Sequence, residues 1–288
     1  MLRFSLVLYI ILVLTSCSSK HNIDIQGHRG CRGLFPENSL PAFEKAIDLG
    51  VHTLELDIAI TKDKKVVVSH EPFMNQAICL KPDGAELNEA EDMLYNFYEM
   101  THQQIRNFDC GTKFHKGYPN QKKLSIYKPL LSEVFDLVKR KHSQVKFNIE
   151  IKSKPQYYGT YTPYPKEYVR LVLGAIKNSE LQSRVNLQSF DLVILEEIKV
   201  QSTNMPVALL VDEDEKISEK RLKLSYKPEI ISPYYKLLDE KKVKSLQSEG
   251  FKVIPWTINS EPDMQQMINF KVDGIITDYP DRLIKLLE

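Results

Sequence analysis

Apolar residues recur along this chain in two rhythms. Short runs with alternating or continuous apolar positions predict strands. They lie at 23–30 (IDIQGHRG), 52–60 (HTLELDIAI), 64–70 (KKVVVSH), 145–151 (VKFNIEI), 184–190 (RVNLQSF), 206–211 (PVALLV), 228–235 (PEIISPYY), 252–258 (KVIPWTI) and 272–278 (VDGIITD). Between them, stripes at three- and four-residue spacing predict helices at 37–50, 130–141, 166–179, 191–201, 239–250 and 261–270. Ala42, Phe43, Ala46, Ile47 and Leu49 form one such stripe, with Asn38 or Ser39 as its cap and Gly50 as its stop. Strands alternating with helices over about 250 residues predict a parallel sheet covered by helices. About eight such units point to an α/β (β/α)8 barrel, with a doubly wound open sheet as the alternative on pattern alone. From Glu71 to about Lys128 the rhythm weakens, and one helix is expected near Ala90–Arg106. So long a connection is expected to be functional.

The first residues break the pattern. One early Arg precedes an apolar run from Leu6 to Leu14, too short to span a bilayer but the length of a signal-peptide core. The following LTSC resembles a bacterial lipobox, which implies cleavage before Cys17 and a lipid on its sulfur. Residues 1–16 are then a lipoprotein signal peptide, 17–22 a tether and 23–288 the working domain, with an insertion at about 71–128. The expected location is the bacterial cell envelope, anchored by lipid. Composition adds little: 288 residues, 42% hydrophobic and 27% charged, are ordinary for a globular chain. A net charge of +1 gives no overall field for nucleic acid, so no nucleic-acid partner is expected. Oligomeric state is not legible. Cys31, Cys79 and Cys110 follow the leader, so one internal pair at most can form; Cys79 with Cys110 and three free thiols both stay open.

Candidate chemistry sits at strand ends. In TLELDIAI, Leu54, Leu56 and Ile58 share one face and Glu55, Asp57 and Ala59 the other. In VKFNIEIK the inward set is Asn148, Glu150 and Lys152. Buried carboxylates need compensation, from a divalent cation or from salt bridges, and the residues alone leave that choice open. His28 follows the first strand and His70 ends KKVVVSH, both where a barrel places reacting groups. Two histidines with an Arg and a metal suit phosphoryl chemistry. His21, His52, His102, His115 and His142 lack such a setting and read as structural.

The ordered series GHRG, PENS, LELD, VVVSH, NIEIK, LQSF, VIPWTIN and DGIITDYP resembles the glycerophosphodiester phosphodiesterase family over roughly Ile23–Glu288. The resemblance implies a TIM barrel, His28 and His70 as an acid–base pair, and Glu55, Asp57 and Glu150 around one Ca2+ or Mg2+. It implies Arg29 and Lys152 at the phosphate, Phe190 and Trp256 on the glycerol side, and an insertion over the mouth. The family commonly has His-Asp where this chain has His70-Glu71. The implied reaction is metal-dependent hydrolysis of a small-molecule glycerophosphodiester to glycerol 3-phosphate and an alcohol. The alternatives are a phospholipase-D-like or phosphoinositide-lyase-like activity on intact lipids, and a non-catalytic binding lipoprotein.

Overall fold

The computed structural model describes residues 22–91 and 93–288, so the expected leader and Cys17 lie outside the described residues. Nine strands run in chain order: β1 (Asp24–Gly27), β2 (Thr53–Ile60), β3 (Val66–Val68), β4 (Lys146–Ile151), β5 (Val185–Ser189), β6 (Val207–Val211), β7 (Ile230–Pro233), β8 (Lys252–Val253) and β9 (Gly274–Thr277). Eight of them pair in parallel in the order β9-β1-β2-β4-β5-β6-β7-β8. The two ends of that path meet through Asp273 N to Val253 O (2.9 Å), Ile276 N to Pro255 O (3.1 Å) and Ile258 N to Ile276 O (3.0 Å). The ring is therefore nearly closed, and the barrel expected from the strand–helix alternation is present. β3 stands outside it, turning back antiparallel on β2 with Ile58 opposite Val68.

Helices wrap the ring: α1 (Leu40–Leu49), α2 (His102–Ile105), α3 (Leu131–Arg140), α4 (Pro165–Ser179), α5 (Leu192–Gln201), α6 (Ile217–Arg221), α7 (Glu240–Ser248), α8 (Glu261–Asn269) and α9 (Pro280–Leu287). Ser39 caps α1, accepting from Ala42 N, and Gly50 ends it at φ 91°. The core between ring and helices takes the outward strand residues, among them Leu54, Leu56, Ile58, Phe147, Ile149 and Ile151, all 0% exposed. This is the alternation expected from the strand patterns.

Two expectations need correction. The sequence pattern offered no helix at 217–221 or 280–287, yet α6 and α9 form there; both are shorter than three turns. The helix expected near Ala90–Arg106 does not form. Asn96 accepts from Tyr98 N and nucleates a 3-10 turn at Phe97–Glu99. Thr101 then opens α2 with a reciprocal capping box to Gln104. Two side chains that compete for backbone N–H groups within five residues break the run.

The stretch between β3 and α3 has a core of its own. Met74, Ile78, Leu87, Phe97, Ile105 and Phe108 pack together, and Ala59 and Val67 tie them to the β2–β3 hairpin. A Cys79–Cys110 disulfide closes this core at a sequence separation of 31, and Cys31 stays a free, buried thiol. Closing a loop of that length restricts the unfolded chain, so reducing the disulfide is expected to cost about 3–4 kcal/mol. Urea unfolding with and without dithiothreitol, compared with a Cys79→Ala/Cys110→Ala variant, measures it. Equal midpoints in all three would show that the disulfide carries no stability.

Candidate active site

The floor of the site is acidic. Register pairs Asp57 on β2 with Glu150 on β4. With Glu55 two residues earlier, these carboxylates bring one oxygen each within 4.8 Å of the others. Each is 7% exposed or less. Glu55 accepts from Gln188 Nε2 at 2.9 Å and from Arg29 N at 3.0 Å. Asp57 Oδ2 accepts from Asn38 Nδ2 at 2.9 Å, whereas its buried Oδ1 has no hydrogen-bond partner. Burial pushes the Glu55 carboxyl well above its usual range, and the neighbouring Asp57 and Glu150 add to the push. Burial also raises Glu150, against the opposing Lys152. Asp57 goes the other way. Burial opposes its ionisation, but Arg29, His70, Lys152 and His28 together hold it far below. An orphaned carboxylate oxygen among three clustered carboxylates fits a hard divalent cation.

The GHRG turn wraps this floor because two of its glycines have no room for a side chain. A Cβ on Gly27 would lie 2.1 Å from Gly30 O. Gly30 has φ +88° and a Cβ there would meet Ala42 C at 2.7 Å. Arg29 and Asn38 also adopt the left-handed region, at φ 50° and 53°. Such strain in non-glycine residues persists only where surrounding contacts impose it. Here they do: Arg29 Nη1 donates to Glu37 Oε1 at 2.8 Å, and its Nε lies 3.2 Å from Asp57 Oδ2. Glu37 and Asn38 of PENS are thus the supports of the loop.

Each histidine is held by a carboxylate on one nitrogen. His28 Nδ1 lies 2.6 Å from Asp278 Oδ1, and its Nε2 lies 3.9 Å from Glu55 Oε2. Burial drives His28 down to about 4, although Asp278 opposes it, so the ring is neutral near pH 7. His70 Nδ1 lies 2.7 Å from Glu71 Oε1. Lys152 Nζ lies 3.0 Å from His70 Nε2 and 2.8 Å from Glu150 Oε1. Since an ammonium only donates, His70 Nε2 accepts and Nδ1 carries the proton toward Glu71. Both rings then present a bare Nε2.

Above the floor opens a cavity of about 670 Å³, lined by His28, Arg29, Glu55, His70, Glu150, Lys152, Phe190 and Trp256. Asp57, 1% exposed, sits beneath them. Phe190 and Trp256 meet edge to face at 5.5 Å, and Trp256 Nε1 donates to Ser232 O. The structure brings together all nine residues singled out in the sequence for this site. Three contributors were missed. Asp278 gathers His28, Arg32, Tyr118 and Asn259, Gln188 holds Glu55, and Tyr118 reaches Asp278 from the 71–128 stretch at 2.7 Å. Of the histidines set aside, His52 accepts from Ile25 N, and His102 Nε2 lies 3.0 Å from Lys128 O; both are structural.

The sequence profile of the Glycerophosphoryl diester phosphodiesterase family matches residues 28–282. The chain is 31% identical over 260 residues to a glycerophosphodiester phosphodiesterase of Caldanaerobacter subterraneus subsp. tengcongensis, covering 90% of this chain and 96% of that one. It is 28% identical over 268 residues to a glycerophosphodiester phosphodiesterase of Bacillus altitudinis, covering 92% and 98%. Among solved structures, a putative glycerophosphoryl diester phosphodiesterase of Silicibacter pomeroyi superposes with a TM-score of 0.84 at 28% identity, covering 92% and 93%.

Asp278→Asn keeps the shape of the carboxylate but removes its charge beside His28. Loss of one positioned acid–base group costs about 10²–10⁴-fold. The expected fall in kcat is therefore at least a hundredfold, with an unchanged melting temperature showing that the barrel is intact. Steady-state kinetics on a glycerophosphodiester checks it; near-normal kcat would remove Asp278 from the site.

Proposed function

The chain belongs to the glycerophosphoryl diester phosphodiesterase family and is a phosphoric diester hydrolase acting on glycerophosphodiesters; we propose that His28 and His70 perform the proton transfers above one cation, Ca2+ or Mg2+, held by Glu55, Asp57 and Glu150. The observation that carries this reading is the pair of histidines with carboxylate-bound Nδ1 atoms and unprotonated Nε2 atoms beside a buried cluster of three carboxylates. A bound divalent cation would supply charge neutralisation at the phosphoryl oxygens.

The residues divide the work as follows. Arg29 and Lys152 offset the charge of the phosphodiester, and Phe190 and Trp256 form the apolar wall against the glycerol. One histidine Nε2 takes the proton of the attacking oxygen, from water or from the glycerol 2-hydroxyl. The other, which must enter the step carrying a proton on Nε2 as well, gives that proton to the oxygen of the leaving alcohol as its bond to phosphorus breaks. By the direct route, one water is consumed and glycerol 3-phosphate and the alcohol are released. Asp278 and Glu71 keep each ring in the required tautomer.

The proposal extends to the whole chain: 1–16 a lipoprotein signal peptide, 17–22 a tether lipidated at Cys17, and 23–288 the barrel with its insertion at about 71–128. Its support is the leader pattern together with a Cys79–Cys110 disulfide suited to an oxidising compartment. Among the described residues no helix is long and apolar enough to cross a membrane. The tether enters β1 at Asp24, whereas His28 follows the other end of that strand. An anchored barrel of this kind turns its mouth away from the bilayer. That orientation favours small water-soluble diesters over intact lipids as substrates.

The full chain in detergent is expected to release glycerol 3-phosphate from glycerophosphocholine or glycerophosphoethanolamine with Ca2+ or Mg2+. EDTA, His28→Ala, His70→Ala and Glu150→Ala are each expected to abolish release. Turnover persisting in EDTA would overturn the metal assignment. Separately, Cys17→Ser is expected to move the protein from the membrane fraction of an expressing bacterium to the soluble one; retention in the membrane would overturn the anchor.

A further inference from the structure

Lys128 is a buried charge that the chemistry above leaves unused. It is 1% exposed, and its Nζ has no hydrogen-bond partner. A buried ammonium without a partner is costly, so its position calls for an explanation. Its backbone is fixed. Val68 N donates to Pro129 O at 2.7 Å, Val67 bridges Leu130 antiparallel, and the Lys128 carbonyl lies against His102 Nε2. Extending that register by two residues sets Lys128 across from Ser69, the residue before His70. Ser69 Oγ and Glu71 Oε2 are likewise buried and unpartnered. Three buried, unpaired polar atoms therefore come from residues beside His70 and the position facing Ser69.

Burial pulls the Lys128 ammonium below its ordinary range; Glu37, Glu71 and Asp57 favour its charged form, and Arg29 opposes it. Glu71 shows the reciprocal effect. Burial works against its ionisation, but His70, Arg29 and Lys128 hold the carboxyl down at about 2. Glu71 is also the position where this chain has Glu in place of the Asp common in its family. Its side chain spends one oxygen on His70, and the other is buried without a hydrogen-bond partner.

We propose that Lys128 is a positioning residue for diester hydrolysis: from behind β3 its ammonium fixes Glu71 as the acceptor of the His70 Nδ1 proton, and so fixes the direction of His70 Nε2. This rests on the reading of His70 as a proton-transfer group. A Lys at this place keeps Glu71 ionised and oriented without entering the cavity, which Lys128 does not line.

The test is Lys128→Met in the full chain, which removes the charge and keeps the length. The expected result is a fall in kcat of about tenfold with KM changed less than about twofold, the pattern of a lost transition-state contribution. The limb of the pH–rate profile set by the His70–Glu71 pair is expected to move by about half a unit to higher pH, because a repelling positive charge has gone. Added to Glu71→Gln, the substitution is expected to cost nothing more. An unmoved profile, or a loss that multiplies fully onto that of Glu71→Gln, would overturn the proposal. If the single variant does not fold, the Lys128→Met/Glu71→Gln pair is compared with Glu71→Gln alone. Equal kcat and profile support the coupling, and a further tenfold loss overturns it. His70→Ala separates the two readings: if it stays active, the acid–base assignment itself fails. If it is inactive while Lys128→Met behaves as wild type, the role of Lys128 alone fails.

Discussion

Three carboxylates held within 4.8 Å of one another inside a barrel are the constraint that organises this molecule. At an effective dielectric of about 20, each ionised pair at that separation repels by roughly 3 kcal/mol, before any cost of desolvation. Much of the surrounding structure answers that repulsion. Arg29 takes a strained backbone conformation to place its N–H on Glu55 and its guanidinium beside Asp57. Asn38 is held at positive φ and spends its side-chain amide on Asp57. Gln188 and Lys152, on neighbouring strands, attend to Glu55 and Glu150. The glycines of the first turn are the steric condition for all of this, because a Cβ at either would push the loop off the floor.

Barrel closure is a chemical requirement as much as a structural one. His28 follows the first strand and Asp278 the last, 250 positions apart in the chain. They meet because β1 and β9 are neighbours, with Gly27 opposite Thr277. The other dyad, His70 with Glu71, follows the hairpin strand β3 outside the ring, where the stretch that carries the disulfide begins. That same stretch sends Tyr118 back to Asp278. One polar network therefore joins the ends of the barrel to the 71–128 stretch. A disturbance of either part therefore reaches His28 through Asp278.

The sequence showed the parts of the site that obey a period. Glu55, Asp57 and Glu150 stood out because strand alternation put charge on a face that should be interior. Asp278 obeys the same period: Ile276 lines the cavity, and Asp278 lies two residues further on the same face. It passed unnoticed because a carboxylate at a strand end is also an ordinary turn residue. Gln188 required knowing which strand pairs with β4, since its register with Glu150 is a tertiary fact. Lys128 had no signal, because nothing in YKPLLSE marks a lysine as buried. The helix misplaced at 90–106 failed for a local reason: apolar spacing was read ahead of the capping residues Asn96 and Thr101.

Charge balance links the floor to the substrate. Glu37, Glu55, Asp57, Glu71, Glu150 and Asp278 face Arg29, Arg32, Lys128 and Lys152. Fully ionised, six carboxylates against four cations leave two negative charges, the histidines apart. A floor of that sign repels a phosphodiester, which is itself an anion. Burial, with Asp57 and Glu150 beside it, disfavours the charged form of Glu55. A divalent cation held by Glu55, Asp57 and Glu150 would offset that excess. With the floor neutralised in that way, Arg29 and Lys152, which line the cavity, would present their charge to an anion against a balanced background.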